Sequence, residues 1–261
     1  MRDYHVGMIV PSSNLTMETE LPRMLASRES VRPEERFIFH SSRMRMRHVT
    51  PEELRSMNAQ TVRAATELAD AQPDIVASAC LVAIMAQGPK HHCTAETEIT
   101  SALRDAKSNA PVVSSAGALL TAARDLGARR VAIVTPYMKP LTQLVADYIE
   151  DSGIEVVDTL SLEVSDNLAV ARLDPADLKE HWRKLTLRNA DAIVLSACVQ
   201  MPSLSSIEPV EMEAGIPVLS AATATAYTIL DTLGLDTFVP HSGHLLSGKV
   251  AANRGGKPPE N

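Results

Sequence analysis

Asp74-Ile-Val-Ala-Ser-Ala-Cys80 and Asp191-Ala-Ile-Val-Leu-Ser-Ala-Cys198 are two copies of one short pattern, an apolar run that ends in Ser-Ala-Cys. Two further pairs of segments recur in the same order along the chain. They are Val6-Gly-Met-Ile-Val-Pro11 with Val131-Ala-Ile-Val-Thr-Pro136, and Ala110-Pro-Val-Val-Ser-Ser-Ala116 with Ile216-Pro-Val-Leu-Ser-Ala-Ala222. Unrelated βα units share apolar runs, but chance does not readily repeat Ser-Ala-Cys at the same strand end. The sequence therefore predicts an internal duplication.

The spacing of apolar residues predicts the fold class. Short continuous apolar runs alternate with longer amphipathic segments, which is typical of a parallel sheet covered by helices on both faces. We expect an α/β fold of two pseudo-symmetric halves, each a short, mostly parallel sheet flanked by helices, with the active site in the cleft between them. The first half is predicted to span residues 1–115, with the C-terminal helix of 220–247 packing back on it. The second half is predicted to span 116–219, and the polar, Gly- and Pro-rich residues 248–261 a flexible tail.

Individual elements follow from the same patterns. Thr50-Pro51-Glu52-Glu53 combines a capping threonine, a proline at the first helical position and two acidic residues, and it predicts the start of a helix. The predicted helices are Pro51–Ala71, Thr94–Lys107, Ala116–Leu126, Pro140–Asp151, Pro175–Arg188 and Ala221–Leu233. The predicted strands are Val6–Val10, Phe37–His40, Asp74–Ala79, Val112–Ser114, Arg130–Thr135, Glu155–Leu160, Ala192–Ser196 and Pro217–Leu219.

Composition and charge exclude several classes of protein. The 261 residues are 45% apolar, enough for a core, and carry a net charge of −7, whereas nucleic-acid-binding proteins show a clustered basic face. The one basic stretch, Arg43-Met-Arg-Met-Arg47, is interpreted as a solvated loop or strand edge; a role in substrate access or a subunit contact is the alternative. No secretory signal and no apolar run of about 18 residues is visible, so we expect a cytoplasmic protein without membrane contact.

The cysteines are too few and too widely spaced for a disulfide framework or a zinc site. In a reducing cytosol Cys80, Cys93 and Cys198 stay free thiols, so each serves packing or chemistry. His91-His92-Cys93 lacks further ligands at good spacing. We interpret it as a structural loop ahead of a helix, and no metal is expected.

Cys80 and Cys198 each come directly after the carboxyl end of a predicted buried strand, where open α/β sheets bind ligands. If a helix follows, its first N–H groups and its dipole point at the sulfur and lower the pKa of the thiol. A lone buried cysteine is more often a small apolar residue, but a pair at equivalent positions of a duplicated chain favours chemistry. A pseudo-two-fold axis would place the two thiols on opposite walls of one cleft, on two faces of a small substrate.

Six segments contain longer and more specific motifs. They are Ile9-Val-Pro-Ser-Ser-Asn-Leu-Thr-Met-Glu-Thr-Glu20, Phe39-His-Ser-Ser-Arg-Met-Arg-Met-Arg47, Ala79-Cys-Leu-Val-Ala-Ile-Met85, Ala132-Ile-Val-Thr-Pro-Tyr-Met-Lys-Pro-Leu141, Asp166-Asn-Leu-Ala-Val-Ala-Arg172 and Leu195-Ser-Ala-Cys-Val-Gln-Met201. Together, from about Val6 to Gly248, the chain resembles the maleate isomerases of the aspartate/glutamate racemase superfamily. The resemblance implies a cofactor-independent cis–trans isomerisation of maleate to fumarate through a covalent succinyl-cysteine intermediate, and a homodimer.

The resemblance also assigns roles to single residues. It implies that Cys80 is the nucleophile and Cys198 the proton donor and acceptor, and that the substrate is held by Asn14, Tyr137 and Asn167 and by backbone groups around Leu81, Val82, Val199 and Gln200. The duplication independently places Tyr137 at the cleft, since Tyr137 and Ser12 both follow the proline of a first strand. From the residues alone, Asn14 could cap the next helix, Tyr137 could cap or pack, and Asn167 could belong to a turn.

The expected chemistry needs no cofactor, and no motif of the GxGxxG or P-loop type is visible. The expected partner is a small dicarboxylate, maleate. The nearest alternative is a two-cysteine amino-acid racemase of the aspartate/glutamate type, which would also need groups for an α-ammonium. A malonate-type decarboxylase on the same plan would keep only the second cysteine, so Cys80 argues against it. A small-molecule binding or sensor protein is the alternative from another class, but it needs no paired thiols.

Overall fold

Two four-stranded sheets with the same strand order form the centre of the molecule. A computed structural model describes residues 1–252. The order is β2-β1-β3-β4 in one sheet and β6-β5-β7-β8 in the other, and every pairing is parallel, which confirms the predicted fold class. The strands are β1 (Arg2–Pro11), β2 (Glu35–Met44), β3 (Ile75–Ser78), β4 (Val112–Ser114), β5 (Arg130–Thr135), β6 (Glu155–Ser161), β7 (Ala192–Ser196) and β8 (Val218–Ser220).

Helices connect the strands. They are α1 (Met17–Glu29), α2 (Pro51–Asn58), α3 (Thr61–Ala69), α4 (Leu81–Met85), α5 (His91–Asp105), α6 (Ser115–Asp125), α7 (Lys139–Asp151), α8 (Asn167–Val170), α9 (Leu178–His181), α10 (Leu204–Ala214), α11 (Ala221–Thr232) and α12 (Lys249–Ala252). Three 3₁₀ turns lie at Pro175–Asp177, Trp182–Lys184 and His244–Leu246. Within residues 1–252 no helix has both the length and the apolar character that crossing a membrane requires.

Hydrogen bonds that occur twice reflect the duplication. The Asp74 N–H donates to the His5 carbonyl at 2.8 Å, and the Asp74 carboxylate accepts the His5 N–H at 2.7 Å. Asp191 makes the same two contacts with Arg130, at 2.8 and 2.9 Å. The two aspartates therefore fix the start of β3 against β1, and of β7 against β5, in the same way.

The last strand of each sheet leads directly into a capped helix. Ser114 Oγ accepts the Gly117 N–H at 3.0 Å where α6 begins, and Ser220 Oγ accepts the Thr223 N–H at 3.2 Å where α11 begins. Serine is a preferred cap because its oxygen satisfies an N–H that has no partner within the helix. The third repeated segment thus supplies a helix cap in both halves.

Some elements differ in length from their predictions. β1 and β2 extend beyond the predicted Val6–Val10 and Phe37–His40, because the two strands pair along their whole length. The predicted helix Pro175–Arg188 is a series of short helical turns. It ends at Lys184, because Leu185 has the extended backbone of a strand.

Two helices depart from the sequence pattern. The predicted helix Pro51–Ala71 is divided between α2 and α3 at Ala59–Gln60. There the Gln60 side chain accepts the Arg45 N–H at 3.0 Å and so ties the break to the segment after β2. α10 was not predicted, because Pro209 within it interrupts the helical pattern of the sequence.

The C-terminal part of the described chain packs on the body of the molecule. α11 lies against α1 and α6, and Val250 in α12 is buried. Lys249–Ala252, at the start of the predicted flexible tail, form a helical turn in which Val250 is buried, and the flexibility of that tail stays a prediction. Residues 253–261 of that predicted tail lie outside the described residues. The predicted domain limits at residues 115 and 219 stay predictions.

A buried arginine joins α1, β2 and the segment after α11. The Arg28 side chain is fully buried, and its Nε and Nη2 donate to the two carboxylate oxygens of Glu35 at 2.6 and 2.9 Å. Its Nη1 donates to the carbonyls of Asp236 and Phe238, both at 2.7 Å. Bidentate pairing and the two carbonyl acceptors offset the cost of removing the charges from water.

Replacing Arg28 by methionine should lower the free energy of unfolding by roughly 3–5 kcal/mol, because the Glu35 carboxylate stays buried without its partner. Arg32→Met is the matched control. Arg32 also contacts Asp236, at 3.1 Å, but its side chain is 36% exposed, so its loss should cost about 0–1 kcal/mol. Urea unfolding followed by circular dichroism measures both variants, and equal losses would contradict the anchoring role of Arg28.

Candidate active site

A cavity lies where residues of both halves meet beyond the carboxyl ends of the strands. Three of its lining residues were missed at the level of sequence: Pro11, Met46 and Val49. The other lining residues are those selected from the sequence and its resemblance, namely Asn14, Cys80, Leu81, Val82, Tyr137, Asn167, Cys198, Val199 and Gln200. The fold thus brings all nine selected residues together.

Cys80 follows β3 and directly precedes α4. The Ala79 N–H donates to the Ile9 carbonyl at 2.8 Å, which extends the pairing of β3 with β1 up to the cysteine. Cys80 has φ 88° and ψ 84°, a backbone conformation that residues other than glycine rarely adopt. The resulting turn leads into α4, where the Ala83 N–H donates to the Cys80 carbonyl at 3.1 Å.

Cys198 has the equivalent place in the second half, but no helix follows it directly. The residue before it pairs with β5, as Ala79 pairs with β1. The chain then turns, and the Gln200 N–H donates to the Cys198 sulfur at 3.4 Å. The condition for a helix dipole at the sulfur, a helix directly after the cysteine, is therefore met at Cys80 and not at Cys198. Pro202 lacks the N–H that a continuing helix would use, and α10 begins only beyond it.

Burial determines the protonation of the two thiols. Cys80 and Cys198 are only 7% and 6% exposed. Burial raises the pKa of Cys80 to about 12, and the neighbouring Cys198 adds to the shift. Burial also raises the pKa of Cys198, although the Tyr137 hydroxyl and two N–H groups of the following turn act in the opposite direction. The expected lowering of the thiol pKa is therefore wrong for the free site, because removing a thiolate from water outweighs the donors around it.

Tyr137 contacts the second cysteine. Its hydroxyl lies 3.4 Å from the Ala197 carbonyl and hydrogen-bonds the Cys198 sulfur. Burial, and then the two nearby sulfurs, raise the pKa of Tyr137 well above its usual value. The phenol therefore stays protonated and available as a donor. The position of Tyr137 after the proline of β5 is the place at the cleft that the duplication predicts.

The two asparagines have different partners. Asn14 Oδ1 accepts two N–H groups at the start of α1, at 3.0 and 2.9 Å, so Asn14 does cap that helix and its amide nitrogen remains for a ligand. Asn167 Nδ2 donates to Ser13 Oγ at 2.7 Å. Asn167 is the first residue of α8 rather than part of a turn, because Asp166 caps that short helix.

One residue of the basic stretch at the end of β2, Met46, lines the cavity. Arg45 and Arg47 are exposed, whereas Met46 between them is buried and lines the cavity. The Glu53 carboxylate accepts the N–H groups of Arg47 and His48 at 2.6 and 2.9 Å, which fixes this segment. The alternation of Arg and Met is the signal that could have revealed Met46, since alternate residues of an extended chain face opposite sides.

His91, His92 and Cys93 form the first turn of α5 rather than a loop ahead of it. The helix starts earlier than predicted because His92 has a partner in the second half: its N–H and its Nδ1 lie 3.0 and 2.6 Å from the Tyr148 hydroxyl. Cys93 is exposed. In the part of the chain that the structure describes, no three or more His, Cys, Asp or Glu side chains are grouped to hold a metal ion.

Comparison with known proteins settles the family. The family model described as Amdase, arylmalonate decarboxylase, matches residues 6–246. The maleate isomerase of Geobacillus stearothermophilus is 57% identical over 248 residues, which cover 95% of this chain and 99% of that protein. The chain belongs to the maleate isomerase family. The maleate isomerase of Alcaligenes faecalis is 54% identical over 95% of this chain and 98% of its own length.

Solved structures agree with this family. The maleate isomerase Iso from Pseudomonas putida S16, solved as a Cys-to-Ala variant with maleate, is 53% identical with a TM-score of 0.93, over 95% of this chain and 98% of that chain. A Cys-to-Ser mutant of the Nocardia farcinica maleate cis–trans isomerase has a covalently bound succinylcysteine intermediate. It is 47% identical with a TM-score of 0.91, over 94% of this chain and 99% of that chain.

Alkylation tests the protonation of Cys80. Iodoacetamide reacts with the thiolate, and the pKa of Cys80 is about 12, so its alkylation rate should rise about tenfold per pH unit between about pH 7 and pH 10. Peptide mass mapping in a Cys93→Ser background measures the rate without the exposed thiol. A plateau near pH 9, where an ordinary cysteine levels off, would contradict the raised pKa.

The backbone of Cys80 predicts an unusual order of stability. Cys80→Gly should be more stable than Cys80→Ala by about 1–2 kcal/mol, because glycine adopts a positive φ without steric strain. Cys198 has no positive φ, so there the alanine variant should be at least as stable as the glycine variant. The urea midpoints of the four variants measure these stabilities. If the alanine variant is at least as stable as the glycine variant at both positions, no strain is stored at Cys80.

Proposed function

We propose that this protein catalyses the cofactor-independent cis–trans isomerisation of maleate to fumarate through a succinyl thioether on Cys80. The observation that carries the proposal is the pair of buried thiols, Cys80 and Cys198, which come from equivalent strand ends and line one cavity. Relatives at 54–57% identity are maleate isomerases, and a structural neighbour has a succinylcysteine intermediate.

Isomerisation requires the C2–C3 double bond of maleate to become a single bond. In the first step the Cys80 sulfur forms a bond to C2, and the π electrons take the proton of the Cys198 thiol at C3. The proton of the Cys80 thiol replaces it on the Cys198 sulfur, so the number of protons and the net charge of the site do not change in this step. Because both groups start as thiols, the raised pKa values of the free site suit this exchange.

Rotation about the new single bond brings the two carboxylates to opposite sides. Cys198 then removes a proton from C3 and passes its own to the Cys80 sulfur, while the π bond re-forms, the C2–S bond breaks and fumarate leaves. The hydrogen bond from Tyr137 lowers the pKa of Cys198 against the effect of burial. It therefore stabilises the negative charge that this sulfur carries during each proton transfer.

The two carboxylates of the substrate are held by hydrogen-bond donors rather than by cations. No Lys or Arg is among the residues that line the cavity. Fixed N–H dipoles in a site with little water stabilise the charge that builds up on a carboxylate during addition. We assign the binding of the two carboxylates to two sets of groups. They are the backbone groups of Leu81, Val82, Val199 and Gln200 and the side chains of Asn14, Tyr137 and Asn167.

The lining of the cavity disfavours the racemase alternative. An α-ammonium group would call for a carboxylate, and neither Asp nor Glu is among the lining residues. A binding or sensor protein would not need two thiols at matching strand ends. The homodimer and the cytoplasmic location stay predictions of the sequence.

Incubation with maleate should yield fumarate, which proton NMR detects directly. Cys80→Ser should abolish both turnover and the succinyl adduct. Cys198→Ser should impair turnover and can trap the adduct on Cys80, visible by intact-mass analysis. Cys93→Ser, which alters the exposed thiol, is the matched control and should keep full activity. Proton exchange on aspartate or glutamate without any turnover of maleate would overturn the proposal.

A further inference from the structure

The geometry points to Gln200 as the positioning residue of the cleft: its side-chain amide holds the segments of both halves that carry Asn14, Asn167 and Cys198. The backbone of Gln200 was selected from the sequence as a substrate contact, but the side chain has a separate task. The inference rests on the proposed function for its effect on turnover. It rests on hydrogen bonds alone for its effect on the contact between the loop after β1 and the turn after β7.

The Gln200 amide uses both of its N–H donors and its acceptor, with two of these bonds to the first half and one within the second. Nε2 donates to the Ser13 carbonyl at 2.8 Å and to the Asn167 carbonyl at 2.9 Å. Oε1 accepts the Leu15 N–H at 2.9 Å. The Gln200 carbonyl accepts the Thr16 hydroxyl at 2.6 Å. One buried residue, 3% exposed, thus binds the loop after β1, the start of α8 and the turn after β7 together.

These contacts act on residues that line the cavity. Ser13 and Leu15, which the Gln200 amide holds, are the chain neighbours of Asn14. Asn167 is held directly at its carbonyl. The Gln200 N–H donates to the Cys198 sulfur, so any movement of this turn also moves the donor that faces the proton-transferring thiol. Gln200 therefore acts through three groups of the site without a side-chain contact to the substrate.

The chemistry of the site requires an amide at this position. A carboxylate could still accept the Leu15 N–H, but it would face two carbonyl oxygens at hydrogen-bond distance without a proton to donate. A buried carboxyl in that position has a raised pKa and is accommodated better when protonated. Methionine has a similar length but makes none of the three side-chain hydrogen bonds.

Two variants test the inference by activity. For wild type and for each variant, kcat/KM for maleate is measured from about pH 5.5 to pH 8.5. At the upper end both Gln200→Glu and Gln200→Met should lose roughly 100-fold, as expected when reacting groups are displaced by about 1 Å. Towards acidic pH the ratio of Gln200→Glu to wild type should rise at least about fivefold as the carboxyl gains its proton, whereas the ratio of Gln200→Met stays constant. Gln143→Glu, on the exposed surface of α7, is the charge control and should match wild type.

A second measurement does not depend on turnover. Amide hydrogen exchange should be faster in Gln200→Met than in wild type for peptides that contain Leu15, because this N–H loses its acceptor. Exchange at Leu15 can be faster in Gln200→Met than in wild type, as expected, while wild type forms no fumarate. In that case the proposed isomerase activity fails and the positioning role stands. If wild type forms fumarate, the positioning role is overturned by variants with full kcat/KM, by unchanged exchange at Leu15, or by equal pH profiles of Gln200→Glu and Gln200→Met.

Discussion

The parallel pairing of all strands is the constraint on which the site depends. Because the strands of each sheet run in one direction, their carboxyl ends lie along one edge, and each half presents its Ser-Ala-Cys there. Asp74 and Asp191 fix the start of the two cysteine-bearing strands against the central strands. A slip of one residue in either pairing would turn the following side chains to the opposite face and remove a thiol from the cavity.

Burial is the second constraint, and it works against simple thiolate chemistry. A site that excludes water strengthens every hydrogen bond to a developing charge, but it also makes a resting thiolate costly. The raised pKa of both cysteines is the result. In the proposed reaction, bond formation is therefore coupled to proton transfer between Cys80 and Cys198, so that little free charge exists on either sulfur before the substrate has arrived.

Much of this arrangement could be read from the sequence. The repeated segments predict two matching sheets, the cysteines at their strand ends and the place of Tyr137, because the apolar runs of the strands and the serine caps of the helices recur in both halves. The thiol pKa could not be predicted, since it depends on desolvation by the whole fold. The alternation of Arg and Met indicates that Met46 faces away from its arginine neighbours, but only the folded chain shows that this side meets the cavity. The side chain of Gln200 contacts Ser13, 187 residues away in the chain, and no local pattern encodes such a contact.

The left-handed backbone of Cys80 has an evolutionary consequence. A group kept for chemistry often costs the fold stability, and at Cys80 the backbone makes that cost specific. At Cys80 the two pressures oppose each other, because glycine relieves the backbone while it removes the sulfur. Cysteine and glycine codons differ by a single base. A thiol that persists at this φ therefore indicates continued selection for the reaction. Without that selection, a single base change would give a more stable, inactive protein.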